Sequence, residues 1–232
     1  MCGLFGFAGN SDPDIGAITE TALWLEHLRG GDAFGFAWVN AAGRLRSIKR
    51  PGPLADVSWM LKEAGDARLL IGHVRYTTNG APEYNINNHP HPCDGGWLVH
   101  NGTVPLHYTL AADHRLITHS HCDSEVIAKL VEIAEPRRRA EQLAWALGVA
   151  ARGQPQAAMA LWSRPRRLVA GVFGKPLAYC RMDGDTYLST LTECLPVKGH
   201  YLRPGHVYAV EPGSKPAPRC NIVSPKKIIT LF

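Results

Sequence analysis

A cysteine lies directly behind the initiator. Cys2 becomes the N-terminal residue once an aminopeptidase trims Met1, as is expected before a small side chain. It then carries a thiol and a free α-amine together. An α-amine titrates near pH ~7.7 to 8.0, so at neutral pH it can take the thiol's proton without a separate histidine, and N-terminal threonines are used in this way. Gly3 and Gly6 let the backbone that follows pass close to a substrate. The competing reading is a small, inert residue.

Three further stretches hold groups that suit such a nucleophile. In GHVRYTTNG, Gly72 to Gly80, Arg75 offers a planar fork for a carboxylate, with hydroxyl and backbone bonds from the neighbouring threonines; the alternative is a surface arginine beside a turn. In HNGTV, His100 to Val104, the Asn101 amide and the unhindered N–H of Gly102 make two donors for the negative oxygen that attack on an amide creates, although Asn-Gly is also a common tight turn. In CDSEVIAKL, Cys122 to Leu130, Asp123 either caps the helix behind it or faces a pocket and pairs with an ammonium group. Taken together, these groups answer the needs of a free amino acid whose side chain ends in an amide. His89, His91, His114, His119, His121 and Cys122 are dense in potential metal ligands, but their spacing matches no standard zinc pattern, so we expect no metal and no cofactor.

These residues need elements to position them. Leu4 to Ala8 reads as a strand starting at the terminus, and Ser11-Asp12-Pro13 supplies a cap and a proline for a helix through Ile15, Ile18, Ala22, Leu25 and Leu28, stopped by Gly30-Gly31. Strands follow at Phe34 to Val39, Leu69 to Arg75 and Trp97 to His100, so that the arginine and Asn-Gly motifs each fall at a strand end. Gly80 to Gly96 reads as a long loop beside the site. Helices are expected over Asp123 to Ala134 and about Arg138 to Ala151, parted by Pro136. Short strands come next at Ala157 to Trp162, Leu168 to Phe173, Thr186 to Thr190, Val207 to Val210 and Ile228 to Phe232. With little room for parallel crossovers, the order favours two mainly antiparallel sheets with helices outside, an α+β fold.

The chain of 232 residues, 45% of them hydrophobic, suits one domain over 1–232. Met1 is followed by neither a basic stretch nor an apolar run, and no window approaches a membrane span, so a soluble cytoplasmic protein is expected. The six cysteines are dispersed and contain no C-x-x-C pair, which suits reduced thiols. The net charge of +5 comes partly from scattered clusters, Arg137 to Arg139, Arg164 to Arg167 and Lys226-Lys227, without the interleaved aromatics of a nucleic-acid binder; they read as solvated surface.

The ordered series MCGLFGFAG, LRGGDAFGFA (Leu28 to Ala37), GHVRYTTNG, NNHPHP (Asn87 to Pro92), HNGTV and CDSEVIAKL resembles the class II glutamine amidotransferase domain. That domain is the N-terminal half of glucosamine-phosphate synthase and of amidophosphoribosyltransferase. The resemblance runs from Met1 to about Glu135, and PLAYCRMDGDTYLSTL, Pro176 to Leu191, is similar to the family's more variable back half. It implies a four-layer αββα sandwich, the N-terminal nucleophile hydrolase fold. It also implies glutamine as substrate, with Cys2 as nucleophile and its own amine as base, Asn101 and Gly102 as oxyanion hole, Arg75 on the carboxylate and Asp123 on the ammonium. Tyr76 and Thr78 would line the pocket, and Arg29 would stand behind it and help place the N-terminus. One departure is Arg29-Gly30-Gly31-Asp32, which has glycine where the synthase relatives carry a larger residue; another is that no attached synthase domain is expected. Three readings follow: a glutaminase supplying ammonia to a separate synthase or ligase, a free-standing hydrolase of a γ-glutamyl amide metabolite, and a silent interaction module.

Overall fold

Several strand segments are apolar at nearly every position, such as Phe34-Gly35-Phe36-Ala37-Trp38-Val39, which is the pattern of a strand covered on both faces. The computed structural model, which describes residues 1–135 and 138–223, buries that segment throughout. In chain order the first strands are β1 (Gly3–Ala8), β2 (Ala33–Asn40), β3 (Leu45–Pro51), β4 (Ala67–Arg75), β5 (His91–Cys93) and β6 (Gly96–Asn101). After the helices come β7 (Gln156–Ser163), β8 (Arg166–Phe173), β9 (Ala178–Met182), β10 (Asp185–Ser189), β11 (His200–Tyr201), β12 (His206–Val210) and β13 (Ala217–Asn221). The helices are α1 (Ile15–Arg29), α2 (His107–Asp113), α3 (Ser124–Ile133) and α4 (Arg139–Ala151).

The strands form two sheets, of order β11-β9-β10-β1-β4-β2-β3 and β13-β12-β8-β7-β6-β5. Neighbouring strands pair antiparallel in both. Alternation along each strand divides its side chains between two apolar layers. Phe5 and Phe7 of β1 face α1 and the 3-10 segment Leu54–Ala64, whereas Leu4 and Ala8 face the second sheet. On β7, Ala157, Met159 and Leu161 meet the first sheet, and Ala158, Ala160 and Trp162 pack under α3 and α4. Three apolar layers therefore separate helix, sheet, sheet and helix, which is the expected αββα sandwich.

The differences from expectation are local. Asp14 caps α1 by accepting from the Ala17 N–H at 3.0 Å, in place of the predicted Ser11-Asp12. β3, with the sequence LRSIKRP, is a half-exposed edge strand whose charges conceal it from an apolar reading. Within the predicted Gly80 to Gly96 loop lie a 3-10 turn, Asn85–Asn87, and the short β5. Arg164, Arg166 and Arg167 are exposed, and Arg139 pairs with Asp94. The predicted strand at Ile228 to Phe232, the break at Pro136, Arg137 and Lys226-Lys227 lie outside the described residues. Among the described residues no helix is long and apolar enough to cross a membrane.

Candidate active site

β1 runs through the middle of the first sheet with β4 beside it, and Gly3 pairs with Val74, so Cys2 and Tyr76 emerge together at one end of the two strands. The Tyr76 N–H donates to Cys2 Sγ at 3.4 Å, and the thiol lies 3.4 Å from the Tyr76 carbonyl. β6 in the facing sheet ends at Asn101. Cys2, Tyr76, Thr78, Asn101 and Gly102 thereby line one cavity of about 120 Å³, together with Met1, Thr103, Gln154, Pro155 and Lys175. Two larger concavities, of about 860 and 920 Å³, lie elsewhere and include neither Cys2 nor Asn101.

Asn101 is 2% exposed, and its Nδ2 is buried without a hydrogen-bond partner. Buried amide donors are nearly always paired. This one is available to an oxygen placed in the cavity. At Gly102 a Cβ would fall 2.7 Å from His100 Nε2 and closer still to Gln156 Oε1, so only glycine fits. Gln156 holds this turn: its Nε2 donates to the Thr103 carbonyl at 2.7 Å while its Oε1 meets His100 Nε2. His100 Nδ1 is bonded in turn to Ser124 Oγ at 2.8 Å.

Asp123 does not cap α3. Its Oδ2 accepts from the Val104 N–H at 2.7 Å, tying the segment after Gly102 to the start of the helix. Arg75 is buried, with Nη1 donating to Asn88 Oδ1 at 2.5 Å and Nη2 donating to the carbonyls of Asn79 and Gly80 at 2.5 and 2.7 Å. Neither Arg75 nor Asp123 lines the cavity, yet both are near enough to act on the thiol: burial raises the Cys2 pKa, the Tyr76 backbone and Arg75 lower it, and Asp123 raises it.

Met1 lies over the site. Its Sδ accepts from Lys175 Nζ at 3.3 Å and from Arg29 Nη1 at 3.6 Å. Burial lowers the pKa of the terminal amine, and Arg29 and Lys175 lower it further against the pull of the Cys2 thiol. Arg29 thus stands at the N-terminus. Lys175 carries no motif that would single it out; the turn after β8 brings it in.

The Arg-Gly-Gly-Asp stretch is accounted for locally. Gly30 has φ +116, and a Cβ there would come within 2.9 Å of the Tyr76 ring. A Cβ at Gly31 would come within 3.0 Å of the Glu26 side chain, which the Leu54 and Ala55 N–H groups hold. Asp32 Oδ2 accepts from the Thr77 N–H at 2.7 Å and so fixes the chain where it leaves β4. Apart from this cavity, His89, His91 and Cys122 bring metal-binding atoms within 4.8 Å of one another.

No family model matches the chain. The glutamine–fructose-6-phosphate aminotransferase (isomerizing) of Geobacillus kaustophilus is 35% identical over 136 residues, covering 57% of this chain and 22% of that protein. Its counterpart in Mesorhizobium japonicum is 33% identical over 199 residues, 82% of this chain and 32% of the relative. The chain thus spans about a third or less of the length of the curated relatives it matches. Among solved structures, glutamine phosphoribosylpyrophosphate amidotransferase from B. subtilis, complexed with ADP and GMP, superposes with a TM-score of 0.73 at 22% identity, covering 90% of this chain and 47% of that one. A glutamine aminotransferase class-II domain protein from Silicibacter pomeroyi gives 0.66 at 16% identity, covering 97% and 100%. The two-sheet sandwich with a cysteine behind the initiator at its centre is an N-terminal nucleophile hydrolase fold. Sequence and fold together make the chain a class II glutamine amidotransferase domain.

Proposed function

We propose that the chain, acting as one domain and trimmed of Met1, hydrolyses the side-chain amide of glutamine and supplies the ammonia to an acceptor on a separate synthase or ligase. The freed Cys2 amine takes the thiol proton, and the thiolate attacks the amide carbon. The carbonyl oxygen turns negative and accepts from Asn101 Nδ2 and the Gly102 N–H. As the tetrahedral adduct collapses, the Cys2 ammonium returns its proton to the leaving nitrogen and ammonia departs. Water then cleaves the γ-glutamyl thioester, giving glutamate and restoring the thiol. The observation that carries this reading is the partnerless, buried Asn101 Nδ2 in the same cavity as Cys2. The test combines intact mass with a glutaminase assay. Active protein should lack Met1, Cys2→Ala should be inactive, and a glutamine-like electrophile should label Cys2 ahead of Cys93 and Cys122. Activity in protein that retains Met1 overturns the mechanism.

Arg75 and Asp123 are assigned to the α-carboxylate and α-ammonium of glutamine by resemblance, and a second reading draws on the state of the arginine. Its guanidinium already bonds Asn88, Asn79 and Gly80. An arginine so engaged favours a free-standing hydrolase whose substrate is a larger γ-glutamyl amide needing no clamp on free amino-acid groups. Capping the α-amine or α-carboxylate of glutamine separates the two: the first reading expects a large loss of turnover with the wild type, and the second expects equal or better turnover.

A further inference from the structure

Two histidines and a cysteine that the proposed reaction does not use are buried together on the inner side of the Asn85–Cys93 segment. His89, His91 and Cys122 are 3%, 1% and 5% exposed, and one ligand atom from each lies within 4.8 Å of the other two. Both ring nitrogens of His89 and Nε2 of His91 are buried with no hydrogen-bond partner. Interior polar atoms are paired in the great majority of cases, so three orphaned nitrogens in two adjacent rings call for a ligand. Neighbouring groups do not supply one. His73 stacks on His89 with centroids 3.9 Å apart, and Lys49 Nζ donates to the carbonyls of Asn88 and Pro90.

We infer that His89, His91 and Cys122 form a buried site for one borderline-soft divalent cation of the zinc type. Two imidazoles and a thiol suit such an ion, whereas magnesium and calcium take oxygen ligands. A metal takes the lone pair of a neutral imidazole nitrogen, and the partnerless ring nitrogens of His89 and His91 are placed to offer one each. Binding displaces the Cys122 proton to solvent and leaves a metal thiolate. With bonds of ~2.0–2.3 Å, ligand atoms around a tetrahedral zinc lie roughly 3.3–3.6 Å apart, so rotation of side chains by about an ångström closes the group. Asp123, with Oδ1 4.0 Å from Cys122 Sγ, adds a negative charge against that of Lys49.

The site's position gives it a structural role. Asn88, next to His89, holds Arg75, and Asp123, next to Cys122, holds the Val104 N–H. An ion bridging the two segments would staple the parts of the chain that carry both residues. This inference is independent of the proposed reaction.

Full-length protein produced in cobalt-supplemented minimal medium provides the test. The wild type should carry one Co²⁺ per chain with a thiolate-to-cobalt charge-transfer band, and Cys2→Ala should retain both. Cys122→Ser and His91→Gln should lose the band and weaken binding by at least roughly the ten- to hundredfold that even an outer-shell change costs. Zn²⁺ added to metal-free protein should raise the Tm of the wild type and of Cys2→Ala but not of the other two. Absence of bound cobalt in the folded wild type, or a band that disappears with Cys2 and persists without Cys122, overturns the assignment. Because the wild type alone can overturn the assignment, misfolding of a site variant does not rescue it.

Discussion

With Met1 attached, the Cys2 nitrogen belongs to a peptide bond and has no basic lone pair, so the proposed nucleophile gains its base only through trimming. Two cations, Arg29 and Lys175, reach Met1 at the chain terminus, and both depress the terminal pKa in the untrimmed chain. A positive neighbour disfavours an ammonium and so favours the neutral form that accepts the thiol proton. Removing either cation should raise the amine pKa and move the acid limb of the kcat/KM profile to higher pH, by up to about one unit for Lys175→Met. A pH–rate series on mature wild type and variant checks this, and an unmoved limb would separate Lys175 from the amine. The thiol itself is pushed up by burial, so little thiolate forms without the amine's help. Asn101→Ala removes one of the two proposed oxyanion donors. It should lower kcat on the order of 100-fold with a modest change in KM, whereas a pure KM effect would make Asn101 a ground-state contact.

At the scale of elements, three of the motifs were legible because each lies where a strand begins or ends. β1 delivers Cys2, β4 delivers Tyr76 and Thr78, and β6 delivers Asn101, and all three strands are apolar enough to be read from composition. What stayed hidden depends on long-range packing. α2 has only seven residues, and the Leu54–Ala64 segment is 3-10 with a kink at Val57, so neither shows a sustained period. Gln156 comes from β7, more than fifty positions after Asn101, and nothing near it in sequence links it to the Gly102 turn. His89 and Cys122 are likewise far apart in the chain. At Asp123 the sequence offers a helix cap or an ammonium partner, and in the structure the carboxylate holds the Val104 N–H. The two variants at this position therefore divide its duties. Asp123→Asn keeps an acceptor for Val104 but loses the charge, so KM for glutamine should rise while kcat is nearly kept. Asp123→Ala also frees the turn, so kcat should fall as well; steady-state kinetics of the pair decides. Gly102→Ala forces a Cβ onto His100 and Gln156 and should cost about 1–3 kcal/mol by overpacking along with most turnover, read by denaturant melts and assay.

Across the whole molecule, the site belongs to neither sheet alone. Cys2, the proposed nucleophile, extends from the first sheet and Asn101, the proposed oxyanion donor, from the second, so the distance between them is set by the apolar layer that separates the sheets. Met159 on β7 lies in that layer, and its Sδ comes within 3.4 Å of a Cβ built at Gly6, four residues along β1 from Cys2. Leu147 on α4 is equally buried but fills the outer layer beneath β8, away from the first sheet. Truncating either to alanine should cost about 2–5 kcal/mol, through lost burial and the cavity left behind. The effect on catalysis should differ. Met159→Ala lets the two sheets settle toward each other and moves thiol and amide out of register. A shift of this kind, remote from the chemistry, can cost on the order of 100-fold in kcat. Leu147→Ala loosens α4 against the second sheet and leaves the intersheet spacing alone, so kcat measured well below its Tm should stay near the wild-type value. Equal losses of kcat in two variants of equal stability would mean that general softening, not intersheet spacing, governs the alignment of Cys2 with Asn101.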